Sequence, residues 1–129
     1  MIINYRKLNI NGPFSMGTWV KDGAIIGNEE QLTGRSIAMA DTLRQFIISN
    51  YSPEKLKQMS LIDVGAHDGW LCHSVSNLGL KKIVALEPRS KSVNKGKLIR
   101  SELGIDDKVE FRIGTLDQIT DEKFDIVVT

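Results

Sequence analysis

Hydrophobic and polar positions in the second half of the chain follow a strand-and-helix alternation. Short apolar runs over about 60–64, 82–86 and 124–128 predict buried strands, whereas 108–113 alternates like a half-exposed strand near a sheet edge. Because four of the five residues at 124–128 are apolar, we expect its strand to be central. The spacing of strands and helices predicts a parallel sheet with right-handed crossovers.

Helical periodicity fills the gaps between these runs. Apolar residues on one face predict a helix over about 69–78, ended by Gly79, and another over about 90–103, closed by Gly104. The predicted apolar face of the second helix consists of Val93, Gly96, Ile99 and Leu103. A short helical or turn segment is expected within 116–122.

The first half of the chain is less regular. Asp22-Gly23 between two short β-rich runs predicts a hairpin, because the turn needs positive φ. Residues 36–51 have helical periodicity, and Pro53 suits the first turn of a short helix. The predicted apolar face of the long helix consists of Met39, Leu43, Phe46, Ile47 and Asn50.

Composition narrows the class of protein. A chain of 129 residues with 41% hydrophobic and 26% charged residues is ordinary for one soluble domain. The formal net charge of +1 gives no global attraction for nucleic acid or a membrane. One cysteine, Cys72, excludes an internal disulfide, and no apolar run approaches the roughly 20 residues that span a bilayer. We therefore expect a cytoplasmic protein without a membrane partner.

Two acids mark the ends of the first two predicted parallel strands. Asp63 precedes a turn bounded by Gly65 and Gly69, and Glu87 ends the second strand. The turn has the form D-x-G-x-x-x-G rather than the dinucleotide pattern G-x-G-x-x-G. A carboxylate repels pyrophosphate and attracts an ammonium group, and an acid at the second strand tip suits ribose hydroxyls. The predicted ligand is an amino-bearing nucleoside without a diphosphate.

Residues 60–128 resemble the class I S-adenosylmethionine-dependent methyltransferases. The residues 61–69 look like the first motif of that family, and Ala85-Leu86-Glu87-Pro88 looks like the second. The resemblance implies an α/β fold, a Rossmann-like parallel sheet with flanking helices in three layers. It also implies S-adenosylmethionine as cofactor. Because residues 1–35 are glycine-rich and weakly patterned, we expect them to form an N-terminal extension with a hairpin, and residues 36–129 to form a partial methyltransferase domain.

The resemblance assigns roles to individual residues. Asp63 would contact the amino group of the cofactor, and Glu87 would hold both ribose hydroxyls. The turn formed by Gly65, Ala66, His67 and Gly69 would pack on the methionine part, and Pro88 and Arg89 would flank the adenine. Thr115 stands where the family usually has an acid, so the backbone N–H of Leu116 would read the adenine edge. His67 replaces the middle glycine of the commonest motif.

Each of these residues also has an ordinary structural explanation. Asp63 could cap the turn, Glu87 could be a turn residue, and His67 is more simply a loop residue than a base. Cys72-His73 has no second pair at metal-ligand spacing, so we predict no metal site. Arg35 is a further candidate for a salt bridge to the cofactor carboxylate.

Seven basic residues against one acid lie within 81–100. The simpler interpretation is a solvated helix face, and the alternative is a phosphate-binding surface for RNA. The basic residues are Lys81, Lys82, Arg89, Lys91, Lys95, Lys97 and Arg100.

The sequence leaves the acceptor open. Methyl transfer to a small molecule or RNA is the leading hypothesis, with a non-catalytic nucleoside-binding module or half of a two-chain assembly as alternative, and an NAD-dependent oxidoreductase as a remote one. No catalytic residue is assigned, because such residues would lie after the fourth strand or in the N-terminal segment. Since the sequence ends at a strand tip, we expect the N-terminal portion of a longer enzyme, or a homo-oligomer that covers the exposed sheet edge.

Overall fold

The computed structural model describes residues 19–21, 24–26 and 37–129. Strand β1 (Trp19–Lys21) pairs antiparallel with β2 (Ala24–Ile26), and Lys21 lies opposite Ala24. This pairing is the one that the predicted hairpin requires.

A four-stranded parallel sheet forms the centre of the described domain. Its strands are β3 (Ser60–Val64), β4 (Lys82–Glu87), β5 (Glu110–Ile113) and β6 (Ile126–Val128), in the spatial order β5-β4-β3-β6. All three strand pairs are parallel. Sequence order reverses direction between β3 and β6, and ligands of open α/β sheets bind outside the carboxyl ends of the strands at such a reversal. The predicted Rossmann-like α/β fold is confirmed.

The prediction that the last strand is central is wrong for the described sheet. Among the described strands, β6 pairs with β3 alone, and Val127 is 55% exposed. An apolar run cannot distinguish a central strand from an edge strand, because both can bury one face. The edge position predicted for residues 108–113 is confirmed, because β5 is the outermost strand on its side of the described sheet. Of the alternating apolar residues, Val109 and Phe111 are buried, whereas Ile113 at the carboxyl end is exposed.

The helices lie close to their predicted positions. They are α1 (Ile37–Asn50), α2 (Pro53–Leu56), α3 (Trp70–Val75) and α4 (Ser90–Leu103), followed by a single 3₁₀ turn (Leu116–Gln118). The end of α4 is the predicted one: Gly104 has φ 70° and its N–H bonds the carbonyls of Arg100 and Ser101. Helix α3 ends earlier than predicted, where the Ser76 hydroxyl donates to the His73 carbonyl at 2.8 Å.

The predicted apolar face of α1 is partly wrong. Met39 and Phe46 are each 48% exposed, whereas Ala40, Arg44 and Ile47 are buried. Arg44 donates to the Ser74 carbonyl and to Asn77 Oδ1, the latter at 2.7 Å. Hydrophobic periodicity treats arginine as a solvent-facing residue, and for this reason it misplaces the face by about one position.

The two sides of the sheet are covered differently. One side packs against α1, α3 and α4 in a single cluster that includes Ile47, Val75, Ile83, Val93 and Phe111. On the other side Ile62, Val84 and Leu86 pack against Val64, Ile119 and Phe124. Within the described residues, the helices that contribute to these clusters all lie on the first side. None of the helices in 37–129 combines the length and apolar character that crossing a bilayer requires.

Candidate nucleoside site at the carboxyl edge of the sheet

Asp63 and Glu87 lie at the same edge of the sheet and on the same face. Asp63 is opposite Ala85 in the β3–β4 register, and Glu87 is two residues further along β4. Because side chains alternate across a strand, Ala85 and Glu87 point to the same side as Asp63. Asp63 is 5% exposed and Glu87 is 1% exposed. The structure therefore brings together the two acids that the sequence singles out.

The loop between β3 and α3 reaches over β4. The N–H groups of Gly65 and Ala66 both donate to the Leu86 carbonyl, at 2.9 and 3.0 Å. Gly65 has φ 79° and His67 has φ 54°, which is an uncommon conformation for a residue with a side chain. This conformation directs the His67 N–H to Glu87 Oε1 at 3.0 Å.

The Glu87 carboxylate is held in its charged form by hydrogen bonds. Oε1 accepts from the His67 N–H, and Oε2 accepts from the Arg89 N–H and from Arg89 Nε, both at 2.9 Å. Burial alone would raise the pKa of Glu87, but the hydrogen bonds from Arg89 and His67 more than offset it and lower the pKa. Glu87 is an anion at neutral pH.

Asp63 is in the opposite situation. Burial, together with the negative charge of Glu87, raises the pKa of Asp63 from 3.8 to about 7. The carboxyl group therefore binds a proton far more readily than an exposed aspartate does. A cation docked beside it would favour the charged form, so this position has the electrostatics of an ammonium-binding site.

Gly69, at the end of the loop, is buried against the core. A Cβ at this position would be 2.6 Å from Phe111 Cζ and 3.1 Å from His73 Cε1, and its φ of 87° is a left-handed conformation. Any side chain at this position would clash with the Phe111 ring, so the packing beneath the loop requires glycine.

Sequence reasoning missed an ion pair behind this loop. Asp68 Oδ2 lies 3.0 Å from Lys95 Nζ, and both residues are buried. The pair joins the loop to the middle of α4, where a Cβ on Gly96 would meet the Asp68 carbonyl at 2.7 Å. Periodicity gave no signal for this contact, because both residues are of the kind that usually faces solvent.

The loop after β5 approaches the same edge through backbone contacts. The Gly114 N–H donates to the Glu87 carbonyl at 3.2 Å, and the Thr115 N–H donates to Gln118 Oε1 at 2.8 Å. Leu116 is exposed, as are Pro88 and Thr115. Thr115 stands where the resemblance expects an acid, and its hydroxyl donates a hydrogen bond to Asp117, two residues further along the chain.

The basic residues of 81–100 are largely neutralised. Four of the seven form ion pairs: Lys82 with Glu122, Arg89 with Glu87, Lys95 with Asp68 and Arg100 with Asp106, at 2.8 to 3.0 Å. The remaining three, Lys81, Lys91 and Lys97, are exposed. This arrangement favours the interpretation as a solvated surface over a continuous phosphate-binding surface.

Cys72 is a neighbour of Asp63: burial, and then the charge of Asp63, raises the pKa of the Cys72 thiol. Cys72 is buried, with Sγ 3.7 Å from the Val84 carbonyl oxygen. In the described part of the chain, no group of three His, Cys, Asp or Glu side chains is arranged to hold a metal ion. Arg35 lies outside the described residues. A groove of about 360 Å³ shares none of the predicted site residues and is lined by Leu86, Arg112, Ile113, Gln118, Ile119, Thr120, Asp121 and Glu122.

Solved structures share this architecture. An RNA methyltransferase from Salinibacter ruber in complex with S-adenosyl-L-homocysteine matches with a TM-score of 0.51 and 23% identity, over 78% of this chain and 57% of its own. The PRMT1 enzyme–prozyme complex of Trypanosoma brucei with AdoHcy gives 0.60 and 22%, over 76% and 30%. Protein arginine methyltransferase 10 of Arabidopsis thaliana gives 0.59 and 20%, over 77% and 27%. A scan against protein-family models and a search of curated proteins found no match.

These similarities show that the chain has the fold of the class I S-adenosylmethionine-dependent methyltransferases, as its motifs implied. It spans between 27% and 57% of the length of the three structures named above.

Proposed function

We propose that this chain binds S-adenosylmethionine and takes part in methyl transfer. The observation that carries the proposal is the pair of buried acids at the carboxyl edge of β3 and β4, of which Asp63 has a pKa raised to about 7 and Glu87 a lowered one. One acid suits a cationic amino group and the other suits sugar hydroxyls. In support, both acids lie at the carboxyl ends of parallel strands, the edge at which open α/β sheets bind ligands, and related folds have been solved with S-adenosylhomocysteine.

Each site residue receives a role in this proposal. Asp63 binds the ammonium group, and Glu87 accepts hydrogen bonds from the ribose hydroxyls. Gly65, Ala66 and His67 provide the turn that approaches the methionine part, supported from below by Gly69. Pro88, Arg89, Thr115 and Leu116 surround the base.

The chemistry demands positioning more than acid–base assistance. The cofactor supplies a methyl group on a sulfonium, whose thioether is a good leaving group. The residues of this chain hold the donor by its two polar ends, so that an acceptor can approach the methyl carbon in line with the sulfur. A base is needed only for an acceptor that carries a proton on its nucleophilic atom. We assign no such base within this chain.

Calorimetric titration with S-adenosylhomocysteine tests the proposal, with NAD as the competing ligand. We expect saturable binding of the first and none of the second. Glu87→Gln should weaken binding by roughly 10- to 150-fold, since hydrogen bonds to a charged group are worth about 1.5–3 kcal/mol. Asp107→Asn is the matched control, because Asp107 is an exposed acid outside the site. Saturable binding of NAD alone would refute the proposal.

A nucleoside-binding module without turnover is the second candidate function. It rests on the same two buried acids, because Asp63 and Glu87 can hold a nucleoside without a base for an acceptor, and no base is assigned in this chain. A methylation assay with radiolabelled cofactor and a mixture of RNA and small-molecule acceptors distinguishes the two, since a module binds cofactor but transfers nothing. We further propose a cytoplasmic location, and self-association through the exposed edge at β6.

A further inference from the structure

Arg89 is hydrogen-bonded to Glu87, the carboxylate that would bind the ribose hydroxyls in the proposed function. Its backbone N–H and its side-chain Nε both donate to Glu87 Oε2 at 2.9 Å. The other oxygen, Oε1, accepts from the His67 N–H at 3.0 Å. Three donors therefore converge on one carboxylate that is 1% exposed.

Few acceptor sites remain for a sugar. A carboxylate has about four lone-pair sites, so about one is left after three donors have bound. A ribose that uses both of its hydroxyls as donors needs two. One of the three existing donors must therefore leave when the sugar binds.

The side chain of Arg89 is the donor that can leave. The N–H groups of His67 and Arg89 belong to the backbone and are fixed by the two loops. Arg89 Nε is carried by a flexible side chain that is 53% exposed, so the guanidinium can turn outward into water. Its rotation requires no change in the backbone.

The ring of His67 holds the guanidinium in place. His67 Nδ1 contacts Arg89 Nη2, and the same nitrogen lies 4.0 Å from Glu87 Oε1. The left-handed backbone of His67 at φ 54° brings both its N–H and its ring to the Glu87–Arg89 pair. His67 Nδ1 accepts a hydrogen bond from the guanidinium, so Arg89 has a second partner besides Glu87.

We propose that Glu87, Arg89 and His67 form a displaceable clasp, in which the Arg89 side chain competes with the nucleoside for Glu87 and sets its affinity and binding rate. This inference rests on the proposed function and deepens it. It also reverses the sign expected of Arg89, because a residue that only flanked the adenine would strengthen binding.

Arg89→Ala tests the clasp. It leaves the two backbone donors on Glu87 and removes the competitor, so S-adenosylhomocysteine should bind about 10-fold more tightly, with most of the gain in the association rate. Lys91→Ala is the matched control, because it removes an exposed positive charge two residues away that is outside the clasp. Its affinity should stay within about twofold of the unchanged protein.

A double-mutant cycle tests the part played by His67. His67→Asn keeps a residue that tolerates the left-handed conformation and removes the ring, so it should tighten binding by a smaller factor of about 3. In the Arg89→Ala background the same change should have no further effect, since there is no guanidinium left to hold.

The outcomes separate the two proposals. If the unchanged protein binds S-adenosylhomocysteine and Arg89→Ala binds it equally or more weakly, the clasp is refuted and the proposed function stands. If additive effects appear in the cycle, His67 acts independently of Arg89 and the clasp is again refuted. If neither the unchanged protein nor any variant binds the nucleoside, the proposed function fails and the clasp fails with it.

Discussion

Asp63→Asn should make the domain more stable at slightly alkaline pH while it weakens nucleoside binding. In the folded protein, burial and the charge of Glu87 raise the pKa of Asp63 from 3.8 to about 7. In the unfolded chain the carboxyl group has its ordinary pKa. Folding therefore favours the protonated form, and ionised Asp63 is a cost that asparagine, which carries no charge, does not impose.

The size of this cost follows from the shift. A rise of about three pKa units, at about 1.36 kcal/mol per unit, makes ionised Asp63 cost ~4 kcal/mol. The contribution of Asp63 to stability is fully present below pH 3.8, falls as pH rises, and is lost above about pH 7. At about pH 5 the cost is only ~1.7 kcal/mol, because the folded protein still holds the proton. The stability gap between the variant and the unchanged protein should therefore be ~2.5 kcal/mol larger at about pH 8 than at about pH 5.

Urea unfolding of both proteins at the two pH values measures this change in the gap. The cost of burying an amide in place of a carboxylic acid is similar at both pH values, so it does not contribute to the change in the gap. Other titrating groups cancel as well, including His73, whose pKa burial and the charge of Arg100 lower to about 3. On its own, His73 makes stability fall as pH drops below 6.5, opposite in sign to Asp63. Asp107→Asn, at an exposed position, should show a gap that does not change with pH.

Measuring nucleoside binding by the same variant connects its stability to its function. The same Asp63→Asn protein should bind S-adenosylhomocysteine at least about 10-fold more weakly, because an amide cannot neutralise an ammonium group. Increased stability with reduced binding is the expected signature of a position kept for function at the expense of stability. An equal gap at both pH values would show that Asp63 is ionised without penalty, and would refute the reasoning from burial.

Two further substitutions test the packing that supports the loop. Gly96→Ala should destabilise the domain by ~1–2 kcal/mol in urea unfolding, because a Cβ would lie 2.4 Å from Phe111 Cζ, and overpacking of about 1–3 kcal/mol outweighs a helix-propensity gain of about 1. Lys97→Ala, at an exposed position of the same helix, is the control and should change stability by less than ~0.5 kcal/mol. If Gly96→Ala instead stabilised the domain, the inferred clash with Phe111 would be wrong. Lys95→Met removes the ammonium 3.0 Å from Asp68 and should cost ~3–5 kcal/mol, whereas an effect below ~1 kcal/mol would show that the pair is solvated.

Strand and helix positions were predictable where one physical effect dominated. The runs of apolar residues located β3 and β4 within one residue of their observed ends, because both faces of these strands are buried. Gly104 located the end of α4, because a left-handed residue closes a helix and glycine adopts that conformation at little cost. In these places local preference and tertiary packing agree.

Prediction failed where a polar residue is buried by a specific partner. Arg44 is buried in α1 because the Ser74 carbonyl and the Asn77 side chain accept its hydrogens. Those acceptors are about 30 residues away in sequence, so no local pattern could place them. The Asp68–Lys95 pair and the His67–Glu87 hydrogen bond were missed for the same reason, since each joins residues 20 or more positions apart in the sequence.

The two acids of the site show the same limit at the level of chemistry. The sequence placed Asp63 and Glu87 at one edge, but it could not show that they differ in protonation. Glu87 is supplied with three donors by its own neighbours and is therefore charged before any ligand arrives. Asp63 carries the cost of burial and of the Glu87 charge, and a cation bound beside it would relieve that cost. A nucleoside with one cationic end and one hydroxyl-bearing end matches this asymmetry, whereas NAD presents a pyrophosphate to the acid that needs a positive charge.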